Sequence, residues 1–504
     1  MSNRLYLAIK KLVEYGIKTG LTPERERIYT RNLLLELYGE DIFEDSDEID
    51  LSDKISLEPL LNELLDEAVK RGIIEDSVTE RDLFDTKLMN ALMPRPANVE
   101  EEFFKRYELS PVNATNYFYN LSKDSNYIRT YRIEKDVKWS YESKYGKIDM
   151  TINLSKPEKT PEEIAKAAKE GFKSENVYPK CLLCKENEGF SGNLNKQARQ
   201  TLRLIPLNLG GDKMYFQYSP YVYYNEHCIV FNDKHIPMVV NRKTFVRLLD
   251  FVKQFPHYVI GSNADLPIVG GSILSHDHYQ GGNYTFPIAN AEVLKEVTIK
   301  GYEDLKVSIL NWPVSTIRIA GTNDKKMVDL ANHIFETWKD YNDESVNIVS
   351  HTDGVRHNTF SPAARKRGDV FELDLLLRNN RTSEEHPSGI FHSRELYQNI
   401  KRENLGLIEV IGLAILPARM KSEMKLLADR LVSGEDYSKD DVLAKHKPWV
   451  EDFLPRHKDI NKDNVEEILY EEMGHAFSCC LEDAGVFKMN KEGQEAFERF
   501  IDAL

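Results

Sequence analysis

One short stretch constrains this chain more than any other. After an apolar, glycine-bearing run at 267–274 come Ser275-His276-Asp277-His278-Tyr279-Gln280-Gly281-Gly282. Side chains on a β-strand alternate between two faces, so an extended conformation would place His276, His278 and Gln280 on one face. Buried imidazoles and amides need hydrogen-bond partners, and these residues are therefore either structural groups held by backbone carbonyls or the centre of a functional site. The alternating pattern, with a Gly-Gly pair before and after it, favours the functional site.

Composition and charge limit the class of protein. A chain of 504 residues can form about three average domains. Hydrophobic residues make up 41% and charged residues 30%, which is typical of a soluble globular protein. The net charge of −15 argues against nucleic-acid partners and against binding to anionic membranes. An anionic substrate could still occupy a locally basic pocket.

No targeting or membrane-spanning segment is predicted. The amino-terminal residues lead into a charged amphipathic segment that lacks the apolar core of a signal peptide. The longest apolar run, 405–417, is interrupted by Glu409 and is too short to span a bilayer. Five cysteines in a chain of this length do not make a disulfide framework. We therefore expect a cytoplasmic protein.

The pair Cys181 and Cys184 allows two kinds of chemistry, metal binding or redox exchange. A redox site of the thioredoxin type would follow a strand and begin a helix, whereas this pair follows Tyr-Pro-Lys and leads into a polar loop. That context favours a metal. Zinc needs four ligands, and His235 and His276 could complete a Cys₂His₂ set that joins three segments of one domain. Cys228 lies in an apolar strand and is interpreted as a core residue.

The pattern predicts an α+β protein in four parts: a helical accessory domain at 1–125, a sheet-containing catalytic domain at 126–300, a second α+β unit at 301–420 and a helical carboxy-terminal segment at 421–504. Helices are predicted at 5–17, 57–70, 157–169, 244–253 and 327–341. Strands are predicted at 127–132, 148–154, 255–261, 312–319, 346–349 and 371–377. The apolar run 405–416 fits either a helix or a buried strand.

Several cationic side chains are candidate phosphate ligands. Arg129 and Arg132 could clamp a phosphate, because a guanidinium group binds phosphate oxygens in pairs, or they could be ordinary surface arginines. Arg378 and His386 lie at strand ends or in loops of the second unit. Because a sugar phosphate needs a cationic partner, we expect these two residues to be candidates for that contact.

The motif at 276–280, with the two cysteines and His235 upstream, resembles the galactose-1-phosphate uridylyltransferases of the histidine-triad superfamily. Their better-known class carries His-Pro-His-Gly-Gln, from which this chain differs at the intervening positions. The longer sequence stretches around the motif are similar to those of the class II enzymes of Gram-positive bacteria. The resemblance covers essentially the whole chain. Matching stretches lie at 93–96, 127–130, 151–158, 270–282, 385–392 and 406–419.

The resemblance implies a fold of two histidine-triad-like antiparallel-sheet units with helices, and a two-step exchange. UDP-glucose and galactose 1-phosphate would give glucose 1-phosphate and UDP-galactose through a uridylyl-histidine intermediate. By motif position, His278 would be the nucleophile, with its other ring nitrogen donating to a carbonyl. His276 would anchor the strand as a zinc ligand. Gln280 stands where the hydrolases of the superfamily carry a third histidine, and an amide suits transfer better than hydrolysis.

The resemblance also implies substrate contacts. Gly270, Gly271 and Ser272 would bring backbone N–H groups close to phosphate oxygens. Asn263 would contact uridine or ribose. The pair at 129 and 132 matches arginines that bind the uridylyl phosphates in the other class.

A homodimer is expected from the family. A second metal site, which the other class builds from His-x-His, is not expected, because 371–377 contains no histidine. Two alternatives remain open at this point. One is a related nucleotidyl phosphorylase or hydrolase that uses the same covalent histidine, and the other is a zinc-stapled nucleotide-sugar binder without turnover.

Overall fold

The computed structural model describes residues 2–44, 55–155 and 178–504. Within those ranges the α-helices α1 to α14 are Ser2–Thr19, Arg27–Leu37, Leu57–Lys70, Val78–Asn90, Pro96–Leu109, Pro111–Asp124, Thr130–Ile133, Arg242–Gln254, Asp324–Asp340, Leu407–Val410, Arg419–Ser433, Lys447–Phe453, Val465–Ala484 and Lys491–Asp502. The strands β1 to β15 are Val137–Ser143, Gly146–Ile152, Ile205–Leu209, Asp212–Tyr218, Cys228–Asn232, Val259–Gly261, His278–Gly282, Val293–Val297, Lys306–Leu310, Thr316–Gly321, His351–Thr352, Val355–Arg356, Asn358–Arg367, Val370–Asn379 and Leu413–Leu416. The α+β class is confirmed.

Most predicted elements are present, but two predicted strands are wrong. In the predicted strand 127–132, the short helix α7 instead begins at Thr130, and the two arginines there turn toward acidic side chains of α4. At 346–349 a 3₁₀ turn ends at Asn347, whose positive φ of 62° breaks an extended chain. The run 405–416, which fitted either a helix or a strand, contains one of each, because the short helix α10 is followed after two residues by the strand β15. The helix predicted at 157–169 lies outside the described residues.

A ten-stranded antiparallel sheet dominates the fold, in the order β3-β4-β5-β7-β6-β13-β14-β10-β9-β8. We number the five strands of each half in chain order and read them from the outer edge of the sheet inward. Both halves then have the same order, 1-2-3-5-4. Each half also has one long helix between its third and fourth strands, α8 in the first and α9 in the second. The halves meet where β6 pairs with β13. This repeated topology confirms the two units expected from the sequence. Because β8 pairs with β9, the second half of the sheet already begins at Val293.

Both faces of the central sheet are covered. On β14, Leu375 and Leu377 pack into the core that holds α8, α9 and the amino-terminal helices, while Leu376 packs into the core on the opposite face. A strand that is buried on both faces reads as a continuous apolar run instead of an alternating one. The second core lies under a small sheet, β1-β2-β15, and the helices α11 and α13. Within the described ranges, no helix has the length and apolar character needed to cross a membrane.

Candidate active site and metal centre

The four predicted metal ligands meet at one point. Their candidate ligand atoms all lie within 4.8 Å of one another. Cys181 Sγ is 3.5 Å from Cys184 Sγ and 3.3 Å from His276 Nδ1, and Cys184 Sγ is 3.1 Å from His235 Nδ1. Two thiols and two imidazoles at these separations fit the donor set of a closed, tetrahedral structural zinc site.

Hydrogen bonds to the backbone hold the ligand residues of this cluster in position. Asn187, in the 3₁₀ turn that follows the cysteines, donates from its amide to the carbonyl oxygens of Cys181 and Cys184, at 2.8 Å each. His276 Nε2 lies 2.8 Å from the carbonyl oxygen of Asn232, which fixes its ring and leaves Nδ1 facing the thiols. The cluster thus joins the cysteine loop to the end of β5 and the start of β7.

His278 is the first residue of β7 and is 6% exposed. Its Nδ1 lies 2.8 Å from the carbonyl oxygen of His276, so Nδ1 carries the proton and donates it. Burial lowers the pKa of the ring to about 4. The imidazole is therefore neutral near pH 7, and its Nε2 lone pair remains available. The sequence predicted this hydrogen bond to a carbonyl.

Gln280 lies two residues further along β7 and is oriented by a residue that the sequence did not single out. His227 is 2% exposed, and burial lowers its pKa to about 4. Its Nε2 lies 3.2 Å from Gln280 Oε1. A neutral ring has one N–H, and the amide oxygen only accepts, so Nε2–H donates to Gln280. The amide NH₂ of Gln280 is then the end of the side chain left to face a ligand.

His278 and Gln280 line one cleft of about 390 Å³, a volume within the range of small-molecule sites. Asn263, Gly270, Gly271 and Ser272 line the same cleft, so six residues predicted from the sequence are brought together. The glycines are needed sterically. A Cβ at Gly270 would lie 2.6 Å from the carbonyl oxygen of Ala264. His276 itself does not line the cleft, because it precedes β7 and turns toward the metal cluster.

The far wall of the cleft comes from 403–409, a segment that the sequence analysis did not connect with the site. Its position is fixed by Asn263, whose Oδ1 accepts a 2.8 Å hydrogen bond from the backbone N–H of Leu407. Glu409 accepts from the N–H of Gly406 at 2.7 Å and pairs with buried Lys401 at 2.5 Å. Asn263 thus holds this wall through its oxygen. No local sequence signal indicates a contact across this distance.

The remaining predicted contacts do not line this cleft. Arg129 and Arg132 line a second cavity, where Arg129 pairs with Asp82 at 2.9 Å and Asp85 at 2.6 Å, and Arg132 pairs with Asp82 at 2.5 Å. Arg378 is 2% exposed and donates to the carbonyl oxygen of Leu405 at 3.0 Å, behind the far wall.

His386 and β14 complete the set of predicted positions in the second unit. His386 is exposed in a loop, where its backbone N–H donates to the hydroxyl of Ser383 at 3.1 Å. Within 371–377 of β14, the fully buried acidic residue is Asp374, which pairs with Arg318 at 2.6 Å and Arg365 at 2.8 Å. This strand thus carries a buried ion cluster.

The fold and the motif strand define a protein of two histidine-triad-like units. Residues 20–237 match the family description "Galactose-1-phosphate uridyl transferase, N-terminal domain", and residues 251–451 match the corresponding C-terminal domain. A protein of Clostridium acetobutylicum named galactose-1-phosphate uridylyltransferase is 52% identical, covering 98% of this chain and 99% of that protein. Proteins with the same name are 48% identical in Fusobacterium nucleatum (98% of each chain) and 47% identical in Bacillus subtilis (98% of this chain, 97% of that protein). The chain belongs to the galactose-1-phosphate uridyl transferase family.

Proposed function

We propose that this chain exchanges a uridylyl group between UDP-glucose and galactose 1-phosphate through a covalent histidine. The observation that carries the proposal is His278: a buried, neutral imidazole in a cleft, with Nδ1–H committed to a carbonyl. That arrangement leaves one nucleophilic nitrogen, Nε2. The names of the relatives supply the substrate class.

In the first step, Nε2 of His278 attacks the α-phosphorus of UDP-glucose. The bond between that phosphorus and the bridging oxygen breaks, and glucose 1-phosphate leaves with the electron pair. The ring, now bonded at Nε2, carries a positive charge that the carbonyl oxygen of His276 stabilises through Nδ1–H. In the second step, a phosphate oxygen of galactose 1-phosphate attacks the same phosphorus, the P–N bond breaks, and UDP-galactose leaves. Neither step requires a net proton transfer.

Gln280 would hold a phosphoryl oxygen through its amide NH₂, and the contact between His227 and its oxygen supports this role. An amide donates a hydrogen bond but is a poor general base, so it does not activate water against the intermediate. Asn263, Gly270, Gly271 and Ser272 line the cleft and are the proposed contacts to the nucleotide. Cys181, Cys184, His235 and His276 would hold a structural zinc ion that fixes the start of β7.

A labelling experiment tests this function. The protein is incubated with UDP-glucose labelled in the α-phosphate, and acid-labile label on the protein is measured. We expect label on the wild type, none on His278→Ala, and label on His257→Ala, a control that changes a half-buried histidine outside the cleft. Galactose 1-phosphate should discharge the label as UDP-galactose. Discharge by inorganic phosphate instead would favour a nucleotidyl phosphorylase, and absence of both label and exchange would refute the proposal.

A further inference from the structure

The segment 264–273, which we call the glycine loop, has an unusual backbone, and its last four residues line the cleft. Ile268 has a φ of 72°, in the left-handed region that a β-branched residue rarely adopts. The loop also closes tightly, because Ala264 and Gly270 form an isolated β-bridge. A Cβ at Gly270 would lie 2.7 Å from the carbonyl oxygen of Leu266. Such a conformation persists only where surrounding residues hold it.

One carboxylate joins the start of the glycine loop to its surroundings. The side chain of Asp265 is only 4% exposed, and its Oδ2 pairs with Arg356 Nη2 at 2.7 Å. The same oxygen accepts from the backbone N–H of Val240 at 3.0 Å, and Oδ1 accepts from the hydroxyl of Thr359 at 2.5 Å. Asp265 lies outside the described lining of the cleft. Its carboxylate therefore acts on the loop and not on a ligand.

The second half of the chain also holds the middle of the glycine loop. Asn380, directly after β14, donates from Nδ2 to the carbonyl oxygen of Pro267 at 3.2 Å. The backbone at Gly389 passes so close to Ile268 that a Cβ there would lie 3.1 Å from the isoleucine Cγ2. Together with those of Asp265, these contacts fix three of the four residues that lead up to the strained position.

We propose that Asp265 is a positioning residue of the cleft, through which the second half of the chain holds the glycine loop in its strained conformation. This inference rests on the proposed function, because it concerns the same cleft. The ion pair with Arg356 offsets the steric cost at Ile268 and keeps the backbone of 270–273 in place before a nucleotide sugar arrives. A preformed loop spares the ligand the cost of ordering it. The half without the nucleophile thereby contributes to binding at the half that carries His278.

Asp265→Asn tests this role by separating binding from turnover. The variant loses the charge that pairs with Arg356, so the loop spends less time in the binding conformation, and KM for UDP-glucose should rise at least about tenfold. We expect kcat to change by less than about twofold, because saturating substrate restores the loop and His278 keeps its own hydrogen bond. Asp343→Asn is the matched control. It changes another largely buried carboxylate of the second half, which pairs with Arg499 at 2.7 Å, and should leave both constants unchanged.

A second substitution distinguishes positioning from a general loss of stability. Glycine adopts a φ of 72° without steric cost, so a loop with glycine at 268 depends less on the ion pair. Adding Ile268→Gly to Asp265→Asn should therefore lower the raised KM at least about threefold. An aspartate that served only the stability of the fold would not be rescued by a change three residues away. A KM in the double variant equal to or above that of Asp265→Asn would overturn the proposal.

Amide hydrogen exchange, followed by mass spectrometry without substrate, tests the glycine loop independently of the transfer reaction. Residues 266–274 should exchange at least about tenfold faster in Asp265→Asn than in the wild type, while α8 and α9 keep their wild-type rates. If the wild type transfers no uridylyl group, the proposed function fails, and this measurement alone still decides whether Asp265 holds the loop. Wild-type exchange at 266–274, a wild-type KM in an active variant, or faster exchange over the whole chain would each overturn the proposal.

Discussion

Gly271→Ala tests how the two walls of the cleft are held together. A Cβ at Gly271 would lie 2.6 Å from Nδ2 and 3.0 Å from Cγ of Asn263, which are closer than ordinary contacts. Asn263 is 3% exposed and is tied to Leu407 by a 2.8 Å hydrogen bond. If Asn263 stays, the overpacking costs about 1–3 kcal/mol. If it moves, the buried N–H of Leu407 loses its acceptor, at a cost of about 1–3 kcal/mol.

Either response predicts that Gly271→Ala lowers the free energy of unfolding by about 1–3 kcal/mol and raises KM for the nucleotide sugar, because the far wall shifts. Urea denaturation measures the first effect. A double-mutant cycle with Asn263→Ala identifies its cause: in that background the added methyl group should cost less than about 0.5 kcal/mol. Ser272→Ala, at an exposed neighbouring position, is the control for the stability measurement. An equal cost of Gly271→Ala in both backgrounds would show that Asn263 is not the obstacle.

Three further changes have defined outcomes. Cys184→Ser should abolish metal binding, measured by elemental analysis, and should lower the free energy of unfolding by several kcal/mol. The control Cys479→Ser should keep the metal. Metal retained in Cys184→Ser would contradict the proposed ligand set. Glu409→Gln leaves buried Lys401 unpaired and should cost about 3–5 kcal/mol, while Glu403→Gln, 3.9 Å from the same ammonium, should cost little; equal effects would contradict this reasoning. His227→Phe should lower kcat about tenfold, with partial recovery in His227→Gln, and a kcat equal to wild type would exclude a positioning role.

His227→Phe also changes how stability depends on pH. The pKa of His227 is lowered to about 4 in the folded protein, so the unfolded chain takes up a proton first as the pH falls. The stability contributed by the neutral ring is complete above the unfolded pKa of about 6.5 and is lost progressively toward pH 4, up to about 3 kcal/mol. The phenylalanine variant should lose less stability over this range. Parallel curves for variant and wild type in urea denaturation at each pH would contradict this reasoning.

The residues proposed to carry chemistry are predictable where the sequence places them close together or gives them a defined donor type. His278 and Gln280 follow from a period of two, and the Cys₂His₂ set follows from the number and type of ligands that zinc needs. The residues that support them were not predictable, because their contacts join distant parts of the chain. The sequence around His227 resembles an ordinary strand, and its contact with Gln280 appears only when β5 is paired with β7. The sequence around Asn263 likewise does not indicate its hydrogen bond with Leu407.

Arg129 and Arg132 show a contact that local pattern does not reveal. Residue type and motif order predict phosphate ligands, and acidic residues of α4, about 45 positions earlier, pair with both. A guanidinium group binds whichever anion the fold brings to it, and a contact between such distant segments is not visible in a motif.

The junction between β6 and β13 makes each half of the central sheet dependent on the other. Ala363 pairs with Gly261 and Ala364 with Ile260, so the two halves share their inner edges. Cut apart, each half would expose a strand with unsatisfied N–H and C=O groups, a template for pairing with another copy. Each half therefore needs the other half, or a second copy of itself, to satisfy the backbone groups of this edge.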